Sequence, residues 1–165
     1  KFFFNTISNK VMPREIERKF LLKNDNWKSQ FTSRTIIKQG YLNTQKERTV
    51  RVRIFGEKGF LTIKGETVGI SRLEFEYEIP IKEAKDLLQL CEKPFIEKER
   101  FVVLDRKLKW EIDVFVGDNE GLKLAEVELE DECQDVEIPE WIGEEVTFDN
   151  RYFNSSLVKL PFKNW

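Results

Sequence analysis

The chain of 165 residues is 40% hydrophobic and sets 28 lysines and arginines against 30 aspartates and glutamates, for a net charge of −2. That length and apolar content suit one domain with a buried core, and the balanced charge gives no overall attraction to nucleic acid or to an anionic membrane. Charged residues still make up 35% of the chain, above the usual quarter or so, so their placement matters more than their sum. Histidine is absent, which excludes Ser-His and Cys-His catalysis and histidine-ligated metals. Cys91 and Cys133 stand far apart without Cys-X-X-Cys spacing. Neither a disulfide framework nor a zinc site is indicated, and a reducing, cytoplasmic setting is the default expectation.

Phe2-Phe3-Phe4 is too short an apolar run for a signal peptide or a membrane span. Met12-Pro13 looks like a natural start, so residues 1–13 are set apart as an N-terminal extension or upstream remnant, and residues 14–165 are read as a single domain. Arg14–Leu22 alternates charged and apolar residues and predicts a first strand. Asn24-Asp25-Asn26 signals a turn or helix start, and Trp27–Phe31 reads as a short helix packing Trp27 and Phe31. Arg34–Asn43 reads as a strand kinked at Gly40. Glu47–Phe55 and Phe60–Glu66 form a hairpin across Gly56–Gly59, and Ser71–Ile79 is a strand ended by Pro80. In Ile81–Cys91 the residues Ala84, Leu87, Leu88 and Cys91 fall on one helical face. Phe95–Asp105 and Lys107–Val116 make a second hairpin across Asp105-Arg106, and Leu122–Glu130 a further strand. Asp131–Glu140 is an acidic loop. Trp141–Gly143 and Val146-Thr147 form a short packed segment, and Asn150–Leu160 a terminal helix with Tyr152, Phe153 and Leu157 on its apolar side. About eight strands and three short helices result, an α+β class that is mainly β.

One property unites these strands. Side chains two apart share a face, and on strand after strand that face is charged: Glu15, Glu17 and Lys19; Arg51 and Arg53; Thr62 and Lys64; Arg72, Glu74 and Glu76; Glu126, Glu128 and Glu130. Burying such faces in an apolar core is prohibitive, and a single strand of this kind is ordinarily a solvent-facing surface with weak cross-strand ion pairs. Repetition over many antiparallel strands fits an eight-stranded β-barrel with a charged lumen and a few flanking helices, wide enough for one small elongated ligand. Alternation puts Lys19, Arg51, Arg53, Lys64, Arg72, Lys98 and Arg100 on its cationic side, and Glu15, Glu17, Glu74, Glu76, Asp113, Glu126 and Glu128 on its acidic side. Confined arginines and lysines suit phosphate oxygens, and carboxylates beside them suit hard divalent ions such as Mg²⁺ or Mn²⁺. Trp27, Trp110, Trp141 and Trp165 are read as packing residues.

Glu15-Ile16-Glu17-Arg18-Lys19 resembles the ExExK signature of the CYTH superfamily, the triphosphate tunnel metalloenzymes. The likeness continues through Arg51-Val52-Arg53, Leu61-Thr62-Ile63-Lys64-Gly65, Arg72-Leu73-Glu74-Phe75-Glu76, Lys98-Glu99-Arg100, Trp110-Glu111-Ile112-Asp113 and Ala125-Glu126-Val127-Glu128-Leu129-Glu130, covering Arg14 to Leu160. Short bacterial single-domain members are the most similar. The resemblance implies a tunnel in which Lys19, Arg51, Arg53, Lys64, Arg72, Lys98 and Arg100 hold triphosphate oxygens. It implies Glu15, Glu17, Glu126 and Glu128 as ligands of Mg²⁺ or Mn²⁺. Glu74, Glu76, Lys98 and Asp113 fall to catalysis, the carboxylates holding metal or positioning the attacking water, with Tyr41 a further candidate for the wall. The expected reaction is metal-dependent hydrolysis of a small-molecule triphosphate, inorganic tripolyphosphate first. A class IV adenylyl cyclase, a thiamine or nucleoside triphosphatase, an RNA 5′-triphosphatase and a non-catalytic polyphosphate-binding module are the alternatives. No nucleic-acid or membrane partner is expected, and a homodimer is left open.

Overall fold

The structure, a computed structural model, describes Arg14–Trp165; the N-terminal extension expected at residues 1–13 lies outside the described residues. Charged-apolar alternation is met by strands whose two faces see different surroundings. These are β1 (Arg14–Leu22), β2 (Phe31–Asn43), β3 (Arg48–Phe55), β4 (Lys58–Gly65), β5 (Ser71–Ile79), β6 (Ile96–Asp105), β7 (Leu108–Phe115) and β8 (Lys123–Glu128). All pair antiparallel in the order β5-β4-β3-β2-β6-β7-β8-β1, and β1 returns to β5 with Glu15 opposite Arg72, so the sheet closes into a barrel. On its other side β1 pairs with β8, setting Glu17 opposite Glu128 and Lys19 opposite Glu126. A ninth strand, β9 (Ile142–Glu145), lies beside the end of β1, at Phe20 and Leu22. Closure removes the unpaired edges that an open sheet exposes.

The apolar faces point outward, and most are covered, although Ile63, Phe75 and Tyr77 on β4 and β5 stay exposed. Trp110 packs edge-to-face on Phe20 at 5.6 Å and on Trp141 at 5.7 Å. They belong to a cluster with Trp27, Val103, Ile112, Val127 and Ile142 beneath the segment after β8. A second cluster sits under helix α1 (Ile81–Gln89), whose Ala84 and Leu88 face Val52, Ile54 and Leu61. Two glycines make that approach: a Cβ on Gly40 would stand 2.6 Å from Cys91 Cβ, and one on Gly59 2.6 Å from Ala84 Cβ. Gly40 therefore lies within the strand as a close-approach site, and β2 is irregular between Tyr41 and Asn43 against β3 and between Phe31 and Ser33 against β6.

Several expected elements differ. Phe31 opens β2 and is 41% exposed, leaving Trp27 alone as the buried residue of a 3-10 turn over Asn26–Ser29. The packed segment at Trp141 contains β9, since the outer half of β1 has backbone groups free to pair there. Asn150–Leu160 is broken: a 3-10 turn (Asn150–Tyr152), to whose Arg151 N–H the Asp149 carboxylate accepts a bond, ends at an extended Phe153 before α2 (Asn154–Lys159). The break lets Tyr152 and Leu157 be buried while Phe153 turns the other way, into the barrel. Among the described residues no helix is long and apolar enough to cross a membrane.

Candidate active site

The inner faces of the eight strands enclose a cavity of about 480 Å³. Every charged side chain assigned to the lumen by alternation lines it, except Asp113. Asp113 points inward but is 0% exposed, lying behind Lys98 and Arg100.

Charge in this wall is arranged as a lattice of ion pairs. On the β1-β4-β5 side, Glu15 accepts from Lys64 Nζ at 2.8 Å and Arg72 Nε at 2.6 Å, and Lys64 also reaches Glu74 at 3.1 Å. Glu76 receives Arg51 Nη2 at 3.1 Å, Arg53 Nη2 at 2.9 Å and the Thr62 hydroxyl at 2.7 Å. On the β6-β7-β8 side, Arg100 donates through Nε and Nη2 to the two oxygens of Asp113, each at 2.7 Å. Its Nη2 also reaches Glu126 at 2.8 Å, and its Nη1 bonds Glu111. Lys98 Nζ donates to Asp113 at 2.5 Å and to Asn154 Oδ1 at 3.1 Å. Lys19 sits 2.6 Å from Glu126 and 3.5 Å from Glu17. Charge-assisted bonds of this length are the strong ones, and a low local dielectric strengthens them further.

Burial opposes ionisation of Asp113 and Glu126, yet Arg100 and Lys98 hold the first below its ordinary pKa, and Lys19 and Arg100 hold the second well below. Burial likewise works against the Glu15 carboxylate but is outweighed by Lys64 and Arg72. Glu17 goes the opposite way. Burial and the Glu126 charge raise it to about 7, Lys19 opposing, while 25% of its side chain still meets the cavity. Glu128, across from it, is raised by burial, Glu15 and Glu111. Lys98 is pulled down to about 8 by burial, with Asp113 working against that shift and Arg100 adding to it. Burial and Arg51 bring Arg53 down to about 10.

Among the described residues Arg51 Nε and Arg53 Nε are buried and find no acceptor. Likewise among the described residues, no three acidic side chains converge as a ready-made metal cage, because cations stand between them. Residues not singled out from the sequence also line the cavity: Glu111, Lys109, Thr49, Phe55, Phe60, Thr147, Phe153, Asn154 and Ser155. Alternation with Asp113 pointed to Glu111. Asn154 carried no such signal, since it comes from the terminal segment and meets Lys98 across 56 positions of chain. Tyr41 reaches the wall as expected, its hydroxyl held neutral by burial.

A family model, the CYTH domain, matches residues 13–161. Among curated proteins, an inorganic triphosphatase of Acetivibrio thermocellus is 52% identical over 155 residues, covering 93% of this chain and 99% of its own. An inorganic triphosphatase of Nitrosomonas europaea is 38% identical over 148 residues, covering 87% of this chain and 95% of its own. The crystal structure of an inorganic triphosphatase superposes with a TM-score of 0.63 at 35% identity, over 87% of this chain and 93% of that one. The barrel is therefore shared along nearly its whole length.

Proposed function

Because the chain belongs to the CYTH family, we propose that it hydrolyses inorganic tripolyphosphate inside the charged barrel. The observation that carries this reading is the ion-pair lattice. Lys19, Arg51, Arg53, Lys64, Arg72, Lys98 and Arg100 converge on one cavity, and each is held by a carboxylate of the same wall. A linear polyanion fits by exchange. Its phosphate oxygens replace carboxylates as partners of the cations. The names of the relatives agree with this reaction class.

The acidic wall fits a divalent ion such as Mg²⁺ or Mn²⁺. Glu15, Glu17, Glu126 and Glu128 offer only hard oxygen donors, and Glu17 and Glu128, register partners on β1 and β8, are both raised by burial and by neighbouring carboxylates, so added positive charge at this wall is favourable. These four residues would hold the ion, which when bound supplies charge neutralisation and a more acidic coordinated water.

Hydrolysis adds water to a terminal phosphorus, breaks its bond to the bridging oxygen, and yields orthophosphate and pyrophosphate. Arg51, Arg53, Arg72 and Lys64 hold non-bridging oxygens and fix the chain's orientation. Lys98, close enough to neutrality to exchange a proton, stabilises negative charge on the departing oxygen. Glu74 and Glu76 stand among the phosphate-binding cations, where a carboxylate released by the substrate can orient water. Asp113 does not reach the cavity; it is a positioning residue that sets the Arg100 fork and the Lys98 ammonium.

The test is phosphate release from tripolyphosphate, ATP and thiamine triphosphate, with Mg²⁺, with Mn²⁺ and with chelator. Release that needs metal and is fastest on tripolyphosphate supports the reading. Cyclic AMP formed from ATP would replace it with a cyclase, and binding without turnover of any substrate would replace it with a binding module.

A further inference from the structure

The cations of the cavity wall are not all held in the same way. Arg100 is gripped from behind by Asp113, which is 0% exposed and out of reach of an anion in the cavity. Arg51 adds the Thr62 hydroxyl at 3.1 Å to its contact with Glu76. Arg53 has no such support. Among the described residues its hydrogen bonds run through Nη2 alone, at 3.0 and 2.9 Å, to the two oxygens of Glu76. Glu76 is shared with Arg51 and Thr62, and 30% of its side chain stays exposed. A polyanion that displaces Glu76 therefore takes away the polar contact that orients Arg53. Burial and the like charges of Arg51 and Arg100 all work against keeping that guanidinium where it is.

What remains around it is aromatic. Phe55 follows Arg53 by two positions on β3, and Phe60 is its register partner on β4, so both side chains stand on the face that carries Arg53. The guanidinium carbon lies over the Phe55 ring, 5.6 Å from its centre, and over the Phe60 ring at 5.5 Å. Both rings line the cavity and both are half-buried. Among the described residues no other cation of the cavity lies over two rings; Lys19 and Lys98 lie over one each, at 5.9 and 5.2 Å. A ring face attracts a cation through its quadrupole, more strongly where water is excluded. A flat guanidinium can rest on such a face and still present the N–H groups of its edge to phosphate oxygens. An anion competes with Glu76 for Arg53, but it cannot take the place of a ring face.

We propose that Phe55 and Phe60 are positioning residues for substrate binding: their ring faces hold the Arg53 guanidinium in the cavity when phosphate oxygens replace Glu76. The proposal rests on the triphosphate-binding reading of the same site. In this role the rings act through Arg53, so they govern how tightly the polyanion is held and leave the bond-breaking step to other groups.

A double-mutant cycle on the full chain tests this. Calorimetry measures tripolyphosphate binding, with chelator present to suppress metal-dependent turnover, for the parent, Phe60→Leu, Arg53→Ala and the double variant. Leucine keeps apolar bulk and removes the ring face. Phe60→Leu should weaken binding about five- to tenfold in the parent, and less than about twofold once Arg53 is gone. Equal losses in the two backgrounds would overturn the proposal, because they would mark a structural role that does not pass through Arg53. In steady-state kinetics Phe60→Leu should raise KM by a similar factor with kcat within about twofold, whereas Phe60→Tyr, which keeps the ring face, should restore the parental KM. A KM raised as much by tyrosine as by leucine would overturn the aromatic contact. If Phe60→Leu melts below the assay temperature, Phe55→Leu carries the same cycle with the same outcomes. Absence of turnover on any substrate would refute the hydrolase reading and leave the binding cycle to decide on the rings; a parent that binds no tripolyphosphate would overturn both.

Discussion

Asp113→Asn tests whether the site is organised from behind. Asp113 is wholly buried and receives three charge-assisted bonds, at 2.7, 2.7 and 2.5 Å, from Arg100 and Lys98. An amide offers one acceptor oxygen where the carboxylate offered two, and turns an N–H₂ group toward one of the cations. Arg100 keeps Glu126 and Glu111, but Lys98 is left with Asn154. Removing one partner of a buried pair costs about 3–5 kcal/mol, much of it the stranded charge, out of a total of about 5–15 kcal/mol for a domain. With a urea slope of about 2 kcal/mol/M, the unfolding midpoint should fall by about 1.5–2.5 M. Equilibrium urea unfolding of the two proteins at neutral pH is the assay. The sign of the pH effect follows from the depressed Asp113 pKa. Its stabilisation is complete above the ordinary carboxylate range and is lost as pH falls through the folded value, so the gap between the proteins should close in acid. A midpoint shift under about 0.3 M at neutral pH, a loss near 0.6 kcal/mol on the same slope, would refute the view that Asp113 anchors the cationic side.

Glu17 should behave in the opposite sense. Its pKa is raised to about 7 in the fold, so with chelator present its contribution declines as pH rises from the ordinary carboxylate range through 7. Glu17→Gln should remove that slope and melt higher than the parent at pH 8, while its half-saturating Mg²⁺ rises on the order of tenfold; parallel melting curves and an unchanged metal titration would refute its role. Lys98, brought to about 8, should make kcat/KM fall above that pH, and Lys98→Arg should abolish that limb. A parental profile flat to pH 10 would refute it. Arg53→Ala should cost kcat/KM a factor of about 100 or more, with the fold intact by circular dichroism, because Glu76 keeps Arg51 and Thr62 as partners.

Which residues face the lumen was legible in the sequence, because period-two alternation is local. Once Glu15 points inward, Glu17 and Lys19 must follow, whatever the strand pairs with. The same rule placed Arg51 with Arg53 and Glu126 with Glu128, and their repetition over many strands announced a closed charged barrel. The terminal helix was less legible: its apolar residues suggested one continuous face, and the extended Phe153 that breaks it has no local signature.

Sequence alone thus determined the charged inventory of the strands, through side-chain chemistry and the geometry of the extended chain. Tertiary structure decided how that inventory is used. Barrel closure brings Glu15 to Arg72 and Lys64, and strand stagger sets Asp113 behind Arg100 instead of in the cavity. The returning C-terminus supplies Asn154 to Lys98 and closes one end of the barrel. The contacts of Glu15 and of Asn154 join residues distant in the chain, and no local pattern encodes where a distant segment will come to rest; burial of its apolar residues does.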